Sequence, residues 1–156
     1  MDAAALLLTA CGGFLLAVLW MDLIFDVQVL GHRGRSELPD SVLASIASYY
    51  HRATTTSRPM SYLIALVMVV LLGALGFQAV RGNDAGWSLI ASTVLSGFAV
   101  LLALLRTVPN AVRLGNRVGG TAEQTRLARA IFRDHAVCLG CVVAFLVVRV
   151  AAACHR

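Results

Sequence analysis

The chain has 156 residues, of which 59% are hydrophobic and 13% charged. A typical soluble domain carries about 25% charged residues, so this composition excludes an ordinary soluble domain and indicates a membrane protein. The formal net charge is +5 and all 13 basic residues are arginine, but no basic run is interleaved with aromatic residues, which argues against nucleic acid as a partner.

Four apolar runs are long enough to cross a bilayer, because a spanning helix needs about 20 apolar residues. The first begins at Ala3, and its pattern continues through Asp22 and Asp26 to residue 30, so its inner end should extend beyond the membrane. The other spans are expected at residues 60–80, 87–107 and 136–154. The sequence therefore predicts an all-α integral membrane four-helix bundle that forms a single domain over residues 1–156.

Two further helical segments are predicted outside the hydrocarbon region. Between Pro39 and Ala53, apolar residues recur at helical spacing, which predicts an amphipathic helix that lies on the membrane or covers the bundle. Thr121 and Gln124 have the spacing of a capping box, so we expect the fourth helix to begin there and to project below the bilayer. Arg149 lies near the end of the last apolar run, where a long side chain can extend to the lipid headgroups.

The distribution of arginine predicts the orientation in the membrane. The connections at residues 31–59 and 106–135 carry ten of the 13 arginines. Because arginine-rich loops stay in the cytoplasm, we expect a multi-pass protein of the cell membrane. Both long connections, including the amphipathic helix, should be cytoplasmic, and both termini should lie outside.

Two carboxylates at the inner end of the first helix are the most informative candidates for a site. Asp22 and Asp26 are four residues apart and share one helix face, where like charges repel unless a cation lies between them or one is protonated. Arginines at the same end of the other helices supply such cations: Arg52, Arg58, Arg106, Arg113 and Arg133. Two interpretations stay open, an ion-paired collar that fixes helix order and a functional pocket.

Other polar residues are expected at the same membrane face. Residues 49–51, Tyr-Tyr-His, lie in the amphipathic segment, and His135 precedes the fourth apolar run. Asn110 follows Pro109 at the lower end of the third helix, where the proline either bends the helix around a small polar ligand or ends it. His51 and His135 both flank spanning helices, so a shared metal or haem is a hypothesis beside that of solvated interfacial histidines.

Cys138 and Cys141 form a CxxC pair, which in a four-helix membrane protein resembles the vitamin K epoxide reductase group of thiol oxidoreductases. Those proteins also share a second pair of cysteines in a loop, whereas Cys11 and Cys154 lie in or next to apolar helix here. We therefore interpret Cys138 and Cys141 as small apolar packing residues on the reducing side of the membrane.

Several features follow a common order along nearly the whole chain: Gly12 and Gly13 in the first helix, Pro59 before the second, Pro109 with Asn110 at the end of the third, and the basic stretch 126–135 before the fourth. In this order the chain resembles the anthrone-oxygenase-like family of small four-helix membrane proteins. That family commonly has tryptophan and asparagine at the start of the fourth helix, where this chain has Ala-Ile-Phe-Arg-Asp-His at 130–135. The resemblance implies oxygenation of an activated aromatic, in which the substrate itself reduces dioxygen after a base has formed its carbanion.

The first hypothesis is therefore a cofactor-independent oxidoreductase with a polar pocket at the cytoplasmic mouth of the bundle. It assigns catalysis to His51, His135 and Asp22. Binding of a small hydrophobic or aromatic substrate is assigned to Asp26, Tyr50, Arg106, Asn110 and Arg113. No metal is expected, and a haem-binding membrane protein is a further alternative.

The rival hypothesis is a non-enzymatic accessory or structural subunit, within a homo-oligomer or a larger membrane complex. An enzyme predicts a cavity between the helices that reaches Asp22 and Asn110. A subunit predicts a filled bundle whose exposed face carries small residues such as Gly73 and Gly76 for close helix contact.

Overall fold

The computed structural model describes residues 3–82 and 86–154. The chain is 91% helical, and no strand occurs in the described ranges. In chain order the helices are α1 (Ala3–Asp26), α2 (Asp40–His51), α3 (Arg58–Arg81), α4 (Gly86–Leu102), α5 (Val108–Gly115) and α6 (Thr121–Cys154). A 3₁₀ turn, Val27–His32, continues α1.

Four helical segments are long and apolar enough to span a membrane: Ala3–His32, Pro59–Arg81, Gly86–Gly115 and Thr121–Cys154. They confirm the predicted all-α four-helix bundle. Both α1 and α4 contact α6, and both also contact α3, so the four segments close into a ring in the order α1, α6, α4, α3. Gly82 ends α3 in a left-handed conformation with φ 64°, which favours glycine.

The outward faces of these segments are apolar as well as the inward ones. Trp20, Leu66, Val69, Ile90 and Val147 are each more than half exposed. In water such faces would form a large exposed apolar patch, whereas a helix that is apolar all round is typical of a membrane span. The exposed apolar faces therefore fit contact with lipid.

One end of the bundle is covered by α2, and we call it the α2 end. Leu43, Ile46 and Tyr50 are buried on one face of α2, as the helical spacing of its apolar residues requires. They pack against Leu114 of α5 and Ile131 of α6. Of the two predicted positions for the amphipathic helix, covering the bundle is confirmed.

The third span continues through Pro109 to Gly115, so the interpretation that Pro109 ends the helix is wrong. A π-helical turn, Ala103–Thr107, precedes α5 and interrupts the regular hydrogen-bond ladder. Pro109 then lies in the first turn of α5, where the missing amide hydrogen leaves no bond unmade.

The fourth span begins at Thr121 as predicted. The Gln124 side chain, however, donates to the carbonyl oxygens of Gly119 and Arg117 and so fastens the preceding loop instead of closing a capping box. Arg149 is only 5% exposed and does not extend to the headgroups. It follows Phe145 by four residues, and that spacing directs it to the interior face of α6.

Candidate functional site

A buried network of polar side chains joins α1, α2 and α6 just inside the α2 end. Oδ2 of Asp26 lies 2.7 Å from Nδ1 of His135, and Oδ1 accepts a hydrogen bond of 2.6 Å from the hydroxyl of Tyr50. The Asp26 side chain is wholly buried, and Tyr50 and His135 are 3% and 8% exposed. Both carboxylate oxygens are therefore paired, as burial of a charge requires.

Asp22 occupies the next turn of α1 on the same face. The hydroxyl of Tyr49 donates to its Oδ1 over 2.6 Å, and its Oδ2 lies 3.8 Å from Nε2 of His135. The ring of Tyr49 is stacked on that of Phe25, with 4.1 Å between centroids, which holds the phenol over α1. His135 thus lies between two carboxylates, each of which also accepts a hydrogen bond from a tyrosine.

The two phenols remain protonated throughout the ordinary pH range. Burial, followed by the negative charges of Asp26 and Asp22, raises the pKa of Tyr50 well above its usual value. The same causes, with Asp22 the nearer charge, raise the pKa of Tyr49. Each hydroxyl is therefore a permanent donor to its carboxylate.

An apolar cavity of about 170 Å³ lies between the spanning helices and reaches this network. Gly12, Leu71, Ala99, Cys138 and Phe145 form much of its wall. Its polar lining consists of Asp22, Ser96, Thr107 and His135. Asp26 does not line the cavity, so it meets His135 from the side away from this space.

A second space opens between α1 and α3. This lateral groove has a volume of about 640 Å³ and is lined by Phe14, Phe25, Tyr49 and Ser61 among others. Val18, Asp22 and Ile64 line both the groove and the cavity. Asp22 therefore marks the boundary between the lateral groove and the cavity beside His135.

The arrangement around His135 is suited to proton transfer. Because a carboxylate can only accept, the contact with Asp26 places a proton on Nδ1 of His135. In the neutral ring, Nε2 then carries the lone pair, on the side of Asp22 and the cavity. A histidine held in this way can take a proton from a ligand, and the charge that it acquires faces Asp22.

The structure brings together four of the eight residues assigned to a site from the sequence: Asp22, Asp26, Tyr50 and His135. His51 is exposed at the end of α2 and takes part in none of these contacts. Asn110 does not reach the cavity. It lines a groove outside α5 and α6 together with Arg106 and Arg113.

Among the residues that the structure describes, neither Asp22 nor Asp26 pairs with an arginine, contrary to the expectation. Arg106 pairs at 3.0 Å with Asp134, which is 2% exposed, and Arg113 pairs with Glu123. The side chain of Arg58 lies outside the described part of the chain. The carboxylates of α1 are instead met by tyrosine and histidine, because α2 folds back over the bundle end and fills the space that an arginine would need.

Tyr49 and Cys138 contribute to the network and the cavity, and Gly115 contacts the end of α2, although none of the three was assigned to a site from the sequence. Cys138 follows His135 by three residues, a spacing that puts both on one face of α6 and could have indicated a shared cavity. Its thiol donates to the carbonyl oxygen of Ala99 over 3.7 Å, and Cys138 and Cys141 are both free thiols. No feature of the sequence marked Gly115 as important, because the backbone that it contacts belongs to α2, which is distant along the chain.

His51 is exposed at the end of α2, whereas His135 is buried with its Nδ1 engaged by Asp26. Within residues 3–82 and 86–154, no group of three or more His, Cys, Asp or Glu side chains has the geometry to hold a metal ion. No protein-family model, curated protein or solved structure matches the chain.

Proposed function

We propose that this protein is a membrane oxidoreductase that oxygenates a small activated aromatic substrate without a resident cofactor, and that His135 is its catalytic base. The observation that carries the proposal is the contact of 2.7 Å between the buried Asp26 and His135, at the wall of an apolar cavity. The resemblance to the anthrone-oxygenase-like family supports the same reaction class.

The surroundings of the two ring nitrogens support His135 as the base. Asp26 accepts from Nδ1, which fixes the tautomer and leaves Nε2 free to accept a proton. Asp22, with Oδ2 at 3.8 Å from Nε2, stabilises the imidazolium that forms. General base catalysis of this kind contributes about 10²- to 10⁴-fold to a rate.

The chemistry balances without an added reductant. Nε2 of His135 takes a proton from an activated methylene of the substrate, and the electron pair left on carbon passes to dioxygen as a carbon–oxygen bond forms. The peroxide anion that results takes the proton back from His135. The hydroperoxide then loses water, made of its terminal OH group and the remaining hydrogen on the carbon, and leaves the ketone. For anthrone the sum is one anthrone and one dioxygen giving one anthraquinone and one water, so that the carbon loses four electrons and the dioxygen gains them.

The cavity limits the size of the substrate. Its volume of about 170 Å³ is close to that of an engineered cavity of about 150 Å³ that binds benzene. One aromatic ring therefore fits beside His135. A fused-ring substrate would extend past Asp22 into the lateral groove, which is continuous with the bundle surface and gives access from the lipid.

The test is dioxygen uptake by the detergent-purified protein with anthrone as the probe, with empty micelles as the background. We expect His135→Gln to lower the protein-dependent rate by about 10²-fold or more. His51→Gln is the matched control, since it removes an imidazole from the same end of the bundle but outside the network, and its rate should stay close to that of the unchanged protein. Anthraquinone should form in step with the dioxygen consumed.

Two results would overturn the proposal. One is a rate with the unchanged protein no higher than with empty micelles. The other is an equal loss in both histidine variants. An absorption spectrum of the same sample checks the haem alternative, because a Soret band that His135→Gln removes would assign the reaction to a haem.

A second candidate function, that of an accessory subunit, is favoured by one observation. Gly73 and Gly76 are exposed on α3, and a side-chain carbon added at either would meet nothing within 4 Å. Small residues on a lipid-facing surface allow another helix to approach closely. Gly73→Leu combined with Gly76→Leu should change the oligomeric state if this face binds a second helix, and should leave dioxygen uptake unchanged if the enzyme acts alone.

A further inference from the structure

A groove rich in arginine lies at the α2 end, on the outer side of α5 and α6 and apart from the cavity beside His135. It has a volume of about 590 Å³. Its basic lining consists of Arg106, Arg113, Arg126, Arg129 and Arg133, and Asn110 and Thr125 add polar groups. It shares no lining residue with the cavity or with the lateral groove.

The cations of this groove outnumber the anions that compensate them. Arg106 pairs with Asp134 at 3.0 Å, and Arg113 and Arg126 share the single carboxylate of Glu123. Within the described part of the chain, Arg129 donates only to backbone carbonyl oxygens, those of His32, Arg35 and Ser36, which are neutral.

Arg133 is the least engaged of the five. It is exposed, and it makes no hydrogen bond or ion pair with any residue that the structure describes. Five guanidinium groups thus face two carboxylates, which leaves about three positive charges for a ligand. Guanidinium groups match the oxygens of a phosphate with two parallel hydrogen bonds.

Next in sequence to residues that line the groove, the third span carries three exposed apolar residues, which we call the rim. Leu105 is 76% exposed, Val108 49% and Val112 39%, and they alternate along the third span with Arg106 and Asn110 of the groove. Exposed apolar side chains beside a groove that holds uncompensated arginines fit the boundary between lipid chains and headgroups.

We propose that this groove is a binding site for a phosphate-bearing anion, presented by the headgroup of an anionic phospholipid. Arg133 and Arg129 contact the phosphate, and the exposed apolar residues of the rim contact the acyl chains. The groove is separate from the Asp26–His135 network, so this assignment stands or falls independently of the reaction proposed for that network.

The test measures binding to the full-length protein in a neutral detergent. Native mass spectrometry gives the Kd for dioctanoyl phosphatidylglycerol, with dioctanoyl phosphatidylcholine as the zwitterionic comparison. Isothermal titration calorimetry gives the Kd for inorganic phosphate. The variant is Arg133→Gln, because Arg129 also fastens the loop before α2. The matched control is Arg52→Gln, which removes the same charge from an exposed arginine at the same end but outside the groove.

We expect phosphatidylglycerol to bind more tightly than phosphatidylcholine, and Arg133→Gln to weaken its binding about tenfold, the loss expected for one charge-assisted hydrogen bond. Arg52→Gln should change the Kd by less than about twofold. Inorganic phosphate that binds with the same dependence on Arg133, while the lipid does not bind, would overturn the lipid as the source of the phosphate. Equal binding of both lipids, or an equal loss in both arginine variants, would overturn the site itself.

Discussion

The Asp26 carboxylate is wholly buried, and each of its oxygens has one partner from a different helix, Tyr50 and His135. Asp22 is likewise met by a tyrosine, Tyr49, and by His135. Its side chain, however, is 18% exposed and can also be reached by water. The same chemical change at the two tyrosines should therefore have unequal effects.

Tyr50→Phe should lower the free energy of unfolding by about 1–3 kcal/mol, because it leaves a buried carboxylate oxygen without its donor. Tyr49→Phe should cost less, about 1 kcal/mol or below, because water can replace the hydroxyl at Asp22. Unfolding by sodium dodecyl sulfate from mixed micelles measures both. An equal loss in the two variants would contradict the difference in burial between the two carboxylates.

The raised pKa of Tyr49 and of Tyr50 makes a prediction about alkaline pH. A group whose pKa is higher in the folded than in the unfolded state stabilises the fold fully below the unfolded value, here about 10, and loses that contribution as the pH rises through the folded value. In a Tyr62→Phe variant, which retains only these two of the three tyrosines, the tyrosinate absorbance of the folded protein should therefore appear well above pH 10. The same variant unfolded in denaturant should titrate near the ordinary value, and coincident curves would refute the burial of both phenols.

Part of the site followed from the sequence because it depends on spacing along one helix. The interval of four between Asp22 and Asp26 puts both on one face of α1 whatever surrounds them. Their partners depend on which side chains other helices bring to that face. From the sequence, five arginines were possible partners. Only the fold shows that α2 places Tyr49 and Tyr50 against these carboxylates instead.

At the scale of the element, the position of α2 depends on a close approach to the end of α5. A side-chain carbon at Gly115 would lie 2.8 Å from the backbone nitrogen of His51 and 3.1 Å from the carbonyl carbon of Tyr50. Backbone atoms cannot move aside as a flexible side chain can. Any substitution of Gly115 must therefore shift the end of α2 that carries Tyr50.

Gly115→Ala should destabilise the protein by about 1–3 kcal/mol, the usual cost of overpacking. Gly140→Ala is the matched control, because a side-chain carbon at Gly140 would meet nothing within 4 Å and alanine favours helix, so its effect should be neutral or stabilising by up to about 1 kcal/mol. Thermal unfolding in detergent compares the two variants. Equal stability of both would show that α2 does not contact Gly115 in the way described.

The ends of the helices could be predicted where a local sequence pattern marks them. They could not be predicted where contacts between helices determine them. The apolar runs and Thr121 located the spans and the start of α6. Pro109 is compatible with both an end and a continuation of the third helix, and the preceding π-helical turn makes it a continuation. Arg149 near a helix end suggested exposure to headgroups, but its spacing from Phe145 directs it inward.

At the scale of the whole molecule, the unequal distribution of arginine between the two ends of the bundle predicts which end faces the cytoplasm. Cys154 is exposed near the end of α6, and Thr55 is exposed in the turn after α2, at the opposite end of the bundle. If the arginine-rich connections are cytoplasmic, a variant that retains only Cys154 should react with a membrane-impermeant maleimide in intact cells. A cysteine-free variant carrying Thr55→Cys should react only after the cells are permeabilised, and the reverse pattern would show the opposite orientation.

The bundle could be predicted because four apolar runs and a bilayer leave few other solutions. The cavity could not, because its volume is the small difference between the space enclosed by four helices and the side chains that fill it. Alanine at positions 99 and 103 leaves that space open, yet small residues also occur where helices pack closely, as Gly12 does against Phe145 and Leu146.

The central claim is that Asp26 acts through His135 on a ligand in the cavity, and the most direct measurement is a kinetic cycle. Dioxygen uptake with anthrone is compared among the unchanged protein, Asp26→Asn, His135→Gln and the double variant, each checked for its fold by circular dichroism. Residues that act as one unit show strongly non-additive losses, so we predict that the double variant is no slower than His135→Gln alone. Losses that multiply would show that the two residues act independently and would contradict the account.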